Sequence, residues 1–146
     1  MVASLIYALN QLGINDIEVI YRNKESAIEL QKQWKIKIRA ITDNDLFLNK
    51  DILINSIPTL KDENNEIFSR FISFSTLIFD LIVKPNDTAL IKMALLEKKD
   101  VIHGYEMAAY QLMEQFYIYF NQKLEFSEVL KVINTEYFKV SYSVPT

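Results

Sequence analysis

Three short stretches of this 146-residue chain carry side chains that could bind or read a ligand. The first is Tyr21-Arg22-Asn23-Lys24. Arg22 offers a planar fork of donors that suits a phosphate, and Lys24 adds a second positive charge. A solvated basic turn would look the same. The second stretch is Asn55-Ser56-Ile57-Pro58, at the end of the apolar run Ile52-Leu53-Ile54. Asn55 could hydrogen-bond a ribose or the backbone, or simply open a turn closed by Pro58. The third starts at Gly104, which leads into an apolar run holding Met107 and Gln111. Glycine opens a helix poorly unless the backbone must come close to something or take a positive φ. Gln111 lies one helical turn after Met107, on the same face. An amide donates and accepts together, which suits a polyol, but it also suits the rim of a core.

Composition removes several chemistries. The chain is 50% apolar and 24% charged, the balance of a folded globular protein. Its formal charge of −3 argues against a nucleic-acid partner. With no cysteine there is neither a disulfide framework nor a thiolate metal site, and the single histidine, His103, argues against zinc. The N-terminal run lacks the basic and small-residue regions of a signal peptide. The apolar stretch 71–83 is broken by Ser73, Ser75, Thr76 and Asp80 and falls short of the roughly 20 apolar residues a bilayer needs. The expectation is a soluble, cytoplasmic protein with no membrane partner and no metal.

The elements that must position these residues alternate. A helix is expected over 2–12, capped by Gly13, then a strand at 16–21 and a helix at 25–34. A strand with alternating basic residues follows at 36–41, and a buried strand at 51–55. After the polar loop at 61–66 come a short helical turn at 67–71 and a strand at 76–82. Asp87 or Thr88 can cap a helix running to Lys98, ahead of a last strand at 100–103. Helices at 104–121 and 126–138 close the chain, leaving 141–146 as a tail. This order is that of a parallel α/β fold.

Four segments, in order, resemble the C-terminal cofactor-binding domain of shikimate dehydrogenases. They are ALNQLGINDIEVIYRNKESAIEL, DILINSIPTL, FDLIVKPNDTAL and VIHGYEMAAYQLMEQF. The resemblance covers nearly the whole chain. It implies a Rossmann-like parallel sheet with helices on both faces, lacking the first strand and its Gly-rich loop. Residues 1–140 would then form one truncated NADP-binding domain. In the 3-2-1-4-5-6 strand order the lacking strand is central, so 16–21 and 51–55 would pair directly or flank a gap filled by another chain.

The resemblance also assigns roles. Tyr21, Arg22, Asn23 and Lys24 would sit beside the adenosine ribose, with a cation there favouring NADP. Asn55 and Ser56 would face the cofactor. Leu81, Gly104 and Met107 would lie at its nicotinamide end, and Gln111 would reach the hydroxyl groups of the substrate. Val83 stands where the family places a substrate-touching tyrosine, and valine cannot donate that hydrogen bond. Leu60 and Glu106 stand where the family carries glycines. The implied reaction is NADP-linked interconversion of shikimate and 3-dehydroshikimate, or of a related polyol acid. The family's catalytic Lys and Asp belong to an N-terminal substrate domain, so no catalytic residue is assigned here. The chain alone is expected to be inactive, and a separate N-terminal half or a homodimer is the expected partner. A non-catalytic remnant, serving as a nucleotide-binding or interaction module, is the alternative.

Overall fold

The computed structural model describes residues 2–42, 50–57, 65–85 and 87–139. Pro58, Leu60, most of the polar loop and the tail 141–146 lie outside the described residues. The chain divides into two compact units, 1–48 and 49–146.

The first unit opens with α1, Val2–Gln11. Gly13 ends it with φ of +79°, and two backbone bonds close the cap, Gly13 N–H to Asn10 O at 3.0 Å and Ile14 N–H to Leu9 O at 3.0 Å. Glycine tolerates that left-handed conformation at no steric cost. Strand β1, Glu18–Tyr21, leads through helix α2, Lys24–Gln33, to strand β2, Lys37–Ala40. The two strands are parallel, with Glu18 opposite Lys37 and Tyr21 opposite Ala40. A parallel pair needs such a crossover. The alternating charges of β2 find partners on and beside β1. Arg39 Nε donates to Glu18 Oε1 at 2.7 Å, and Lys37 Nζ to Asp16 Oδ1 at 2.6 Å. Ile6, Ala27 and Ile36 are buried.

The second unit holds β3 (Lys50–Asn55), α3 (Asn65–Ser73), β4 (Ser75–Asp80), α4 (Ala89–Leu96), β5 (Asp100–Ile102), α5 (Gly104–Phe120) and α6 (Phe126–Lys139). Its sheet is parallel with order β3-β4-β5. Strand β4 is central, and Ile78 is completely buried among Phe68, Ile72, Leu90 and Ala94. Burial of such a side chain contributes roughly 1.5–3 kcal/mol. A second cluster, built on Ala109, Val129 and Ile133, joins α5 to α6.

Two expectations need correction. Strand β3 is the outer strand of its own three-stranded sheet among the described residues, and Ile52 is exposed, so its apolar run is not buried throughout. The short turn at 67–71 is a nine-residue helix, because Phe68, Phe71 and Ile72 fall at helical spacing and bury together.

Candidate functional site

At the end of β1, the backbone turns directly into α2. Asn23 is the N-cap: its Oδ1 accepts from Ser26 N–H at 3.1 Å. That carbonyl is thereby committed to the helix start, a contact worth about 1 kcal/mol. Tyr21 is half-buried, whereas Arg22 and Lys24 are exposed and form no ion pair among the described residues. The turn therefore presents two free cations at the carboxyl end of a parallel strand.

The second unit gathers its polar residues around Asp80, at the end of β4. Asp80 is fully buried, and three donors reach its carboxylate. They are Asn55 Nδ2 at 3.0 Å, Ile82 N–H at 3.1 Å and Thr88 Oγ1 at 2.5 Å. Thr88 in turn caps α4 by accepting from Ile91 N–H at 3.2 Å. Asn55 also accepts from Ile57 N–H at 3.0 Å and donates to Ile57 O at 3.3 Å. Both amide donors of Asn55 are thus used inside the fold, and its role is to shape the turn after β3. Ser56 and Val83 are half-buried nearby in sequence, on the segments that this network anchors.

Gly104 explains itself through packing. A Cβ there would stand 2.3 Å from the Ile82 carbonyl oxygen and 2.8 Å from the Leu81 carbonyl carbon. The close approach that demands glycine is to the backbone of Leu81 and Ile82, and it seats the start of α5 against the exit of β4. Leu81 itself is buried. His103 precedes the helix, and Glu106 caps it by accepting from His103 N–H at 2.8 Å. A carboxylate in the first turn also suits the positive end of the helix dipole. The His103 ring has Asp87 Oδ1 3.5 Å from Nε2 and Glu106 Oε2 3.5 Å from Nδ1. Burial, with Glu106 and Asp87 close by, pushes the neighbouring Tyr105 hydroxyl above its usual pKa.

An open cleft of about 740 Å³ runs beside α5. Phe79, Ile102 and Phe126 form apolar parts of its wall. The helix contributes Glu106, Met107, Tyr110, Gln111, Glu114 and Gln115. Their four-residue spacing makes one continuous stripe. Tyr110 stacks on Phe126, with ring centroids 4.4 Å apart. Met107 and Gln111 are therefore brought together on one cleft, as their spacing implies. Glu114, Gln115 and Tyr110 were not singled out from the sequence, although the i+3 and i+4 positions from Gln111 point to Glu114 and Gln115. The arrangement offers an apolar trough with amide and carboxylate groups along one side. An apolar trough with a few polar groups along one side is the general make-up of a small-molecule site.

Comparison with known proteins gives a consistent family likeness, although no family model matches the chain. The NADP(+) shikimate dehydrogenase of Maridesulfovibrio salexigens is 33% identical over 125 residues, covering 82% of this chain and 45% of that protein. The shikimate dehydrogenase of Sulfurisphaera tokodaii is 34% identical over 131 residues, covering 88% of this chain and 46% of its own length. Among solved structures, shikimate dehydrogenase from Thermotoga maritima matches with a TM-score of 0.68 and 29% identity, over 89% of this chain and 51% of that one. Quinate dehydrogenase from Corynebacterium glutamicum, in complex with NAD, matches with a TM-score of 0.76 over 91% of this chain and 51% of that one. At 17% identity the latter speaks for the fold alone. The chain spans about half the length of the curated relatives it matches, and the matched half is their C-terminal part. It is a Rossmann-like α/β chain similar to the C-terminal cofactor-binding domain of shikimate dehydrogenases.

Proposed function

We propose that the chain is the cofactor-binding half of a shikimate dehydrogenase-like oxidoreductase that interconverts shikimate and 3-dehydroshikimate, or a related polyol acid, with NADP. The observation that carries this reading is the stripe on α5. Met107 and Gln111 face one cleft whose wall includes Phe79 and Ile102, near the carboxyl ends of β4 and β5. Ligands of open α/β sheets bind at such ends.

NADP, when bound, supplies the hydride chemistry. In the first unit, Arg22 and Lys24 would hold the 2′-phosphate, with Tyr21 beside the ribose and Asn23 fixing the turn through its cap. In the second, Ser56 and the Asn55 turn, the backbone at Leu81 and Gly104, and the Met107 thioether would face the cofactor. Gln111 would orient the substrate's hydroxyl groups, and Val83 would give only an apolar contact. The fit is incomplete at the pyrophosphate. The chain's two glycines, Gly13 and Gly104, lie far apart in sequence and make no Gly-rich loop. We read residues 1–140 as one truncated NADP-binding domain that works with a substrate-binding half, joined to it or separate, or in a homodimer. A cytoplasmic setting accords with this role.

The second reading is a non-catalytic nucleotide-binding or interaction module. It draws on Val83 and Glu106, which depart from the family pattern. The experiment joins the chain to the N-terminal half of a relative and titrates NADP and NAD. NADP should bind better than NAD. Arg22→Ala should weaken NADP by about 1–3 kcal/mol, the scale of a charge-assisted hydrogen bond, and leave NAD little changed. Equal loss for both cofactors would remove Arg22 from the reading. No binding of either would favour an interaction module, and binding of both without preference a nucleotide-binding one.

A further inference from the structure

The cleft stripe carries two carboxylates and no base. Glu106 and Glu114 are the only charged residues of α5, and no Lys or Arg lines the cleft among the described residues. The two carboxylates differ in their surroundings. Glu106 accepts from His103 N–H and lies in the first turn, where the helix dipole favours it. Glu114 sits in the middle of the helix, beyond the reach of that dipole. It is exposed, and no described residue pairs with it. Gln111 and Gln115 flank it along the cleft, about 6 Å apart along the helix axis at 1.5 Å per residue.

We propose that Glu114 is a specificity residue: it selects for a ligand group that donates hydrogen bonds and is neutral or cationic, a hydroxyl or an ammonium, and against a carboxylate beside α5. This rests on the cleft being the ligand site, and it names the class of group the cleft receives. The two amides cannot make this choice. Each donates and accepts, so Gln111 and Gln115 serve a hydroxyl, an ammonium or a carboxylate alike. Glu114 only accepts when ionised, so it rewards a donor and repels an anion. The apolar wall of Phe79, Ile102 and Phe126 gives the ring of such a ligand a surface to rest on, and because Glu114 is exposed its discrimination is modest and falls with added salt. An acid could still use the cleft, with its hydroxyl groups along α5 and its carboxylate turned away from Glu114.

The test titrates the full chain at low salt with three ligands that share one ring. They are shikimate, its methyl ester, and the analogue whose carboxylate is replaced by an aminomethyl group. The side-chain NH₂ signals of Gln111 and Gln115 report binding. The amine should bind tightest, then the ester, then the acid, with about 2- to 5-fold between steps. Glu114→Gln should compress the series to within about twofold, and Glu114→Lys should reverse it. If the acid binds tightest to the unaltered chain, or if Glu114→Gln leaves the order unchanged, the specificity proposal is overturned while the cleft remains a ligand site. If none of the three ligands moves the Gln111 signal, the cleft is no ligand site, and the inference falls with the reading beneath it.

Discussion

Replacing Gly104 with alanine adds one methyl group at the start of α5. The added Cβ would lie 2.3 Å from the Ile82 carbonyl oxygen, 2.5 Å from its carbon and 2.8 Å from the Leu81 carbonyl carbon. These obstacles are backbone atoms of the segment that Asp80 holds, so no side chain can rotate out of the way. Relief requires α5 to move by about 1 Å, since ordinary contact lies beyond roughly 3.3 Å. Overpacking of this kind costs about 1–3 kcal/mol, and a backbone obstacle puts it at the upper end. Alanine returns about 0.5–1 kcal/mol through helix propensity. The net loss should be about 2 kcal/mol, or about 4–8 °C in Tm for a chain of this size. Gly13→Ala is the control. Its φ is +79° but no atom lies within 4 Å, so it should lose only about 1 kcal/mol, from the left-handed backbone. Urea and thermal unfolding followed by circular dichroism give both values. A Gly104→Ala chain as stable as the parent would refute the packing argument, and with it the placement of α5 against β4.

The Asp80 network makes its own prediction. Asp80→Ala takes the acceptor from Ile82 N–H and the Thr88 hydroxyl and one of the two from Asn55 Nδ2, so it should cost about 3 kcal/mol or more in denaturant unfolding. Thr88→Val should lose about 1–2 kcal/mol, because it removes one of those donors and the α4 cap together. Alkaline pH should weaken the fold through Tyr105. Its hydroxyl pKa is raised in the folded state by burial and by Glu106 and Asp87, so the folded chain holds that proton more tightly than the unfolded one. This stabilisation is complete below the unfolded value of 10.0 and is lost as pH rises through the folded pKa. Unfolding midpoints of the parent and Tyr105→Phe, measured from pH 9 to 11, should diverge in that direction.

Much of the fold was legible because its signals are local. Gly13 closes α1, Asn23 and Thr88 cap α2 and α4, and the apolar runs mark the strands. The missed length of α3 was also local, since Phe68 and Ile72 lie four residues apart. What stayed hidden depends on partners distant in sequence. Gly104 announced a close approach, but only the fold shows that the approach is to Ile82. Asn55 ends an apolar strand and could have faced a ligand, and nothing near it in sequence names Asp80, 25 residues on. Glu106 looked like an intrusion where a glycine was expected, yet its spacing from His103 is that of a helix cap. Gln111 and Met107 were found by helical spacing, and the same rule carried one turn further gives Gln115.

The most direct measurement is NADPH formation, read by absorbance at 340 nm, with shikimate and NADP as substrates. Positioning can supply about 7–11 kcal/mol of a barrier, and a general acid–base group typically contributes about 10²–10⁴-fold. Neither Met107 nor Gln111 can take a proton from an alcohol. Residues 1–146 alone should therefore give no NADPH above the blank. Joined to the N-terminal half of a relative, the chain should form NADPH, and Gln111→Ala should lower the rate. Turnover by residues 1–146 alone would contradict the dependence on a second half, and a joined protein whose rate ignores Gln111→Ala would contradict the assignment of the α5 cleft.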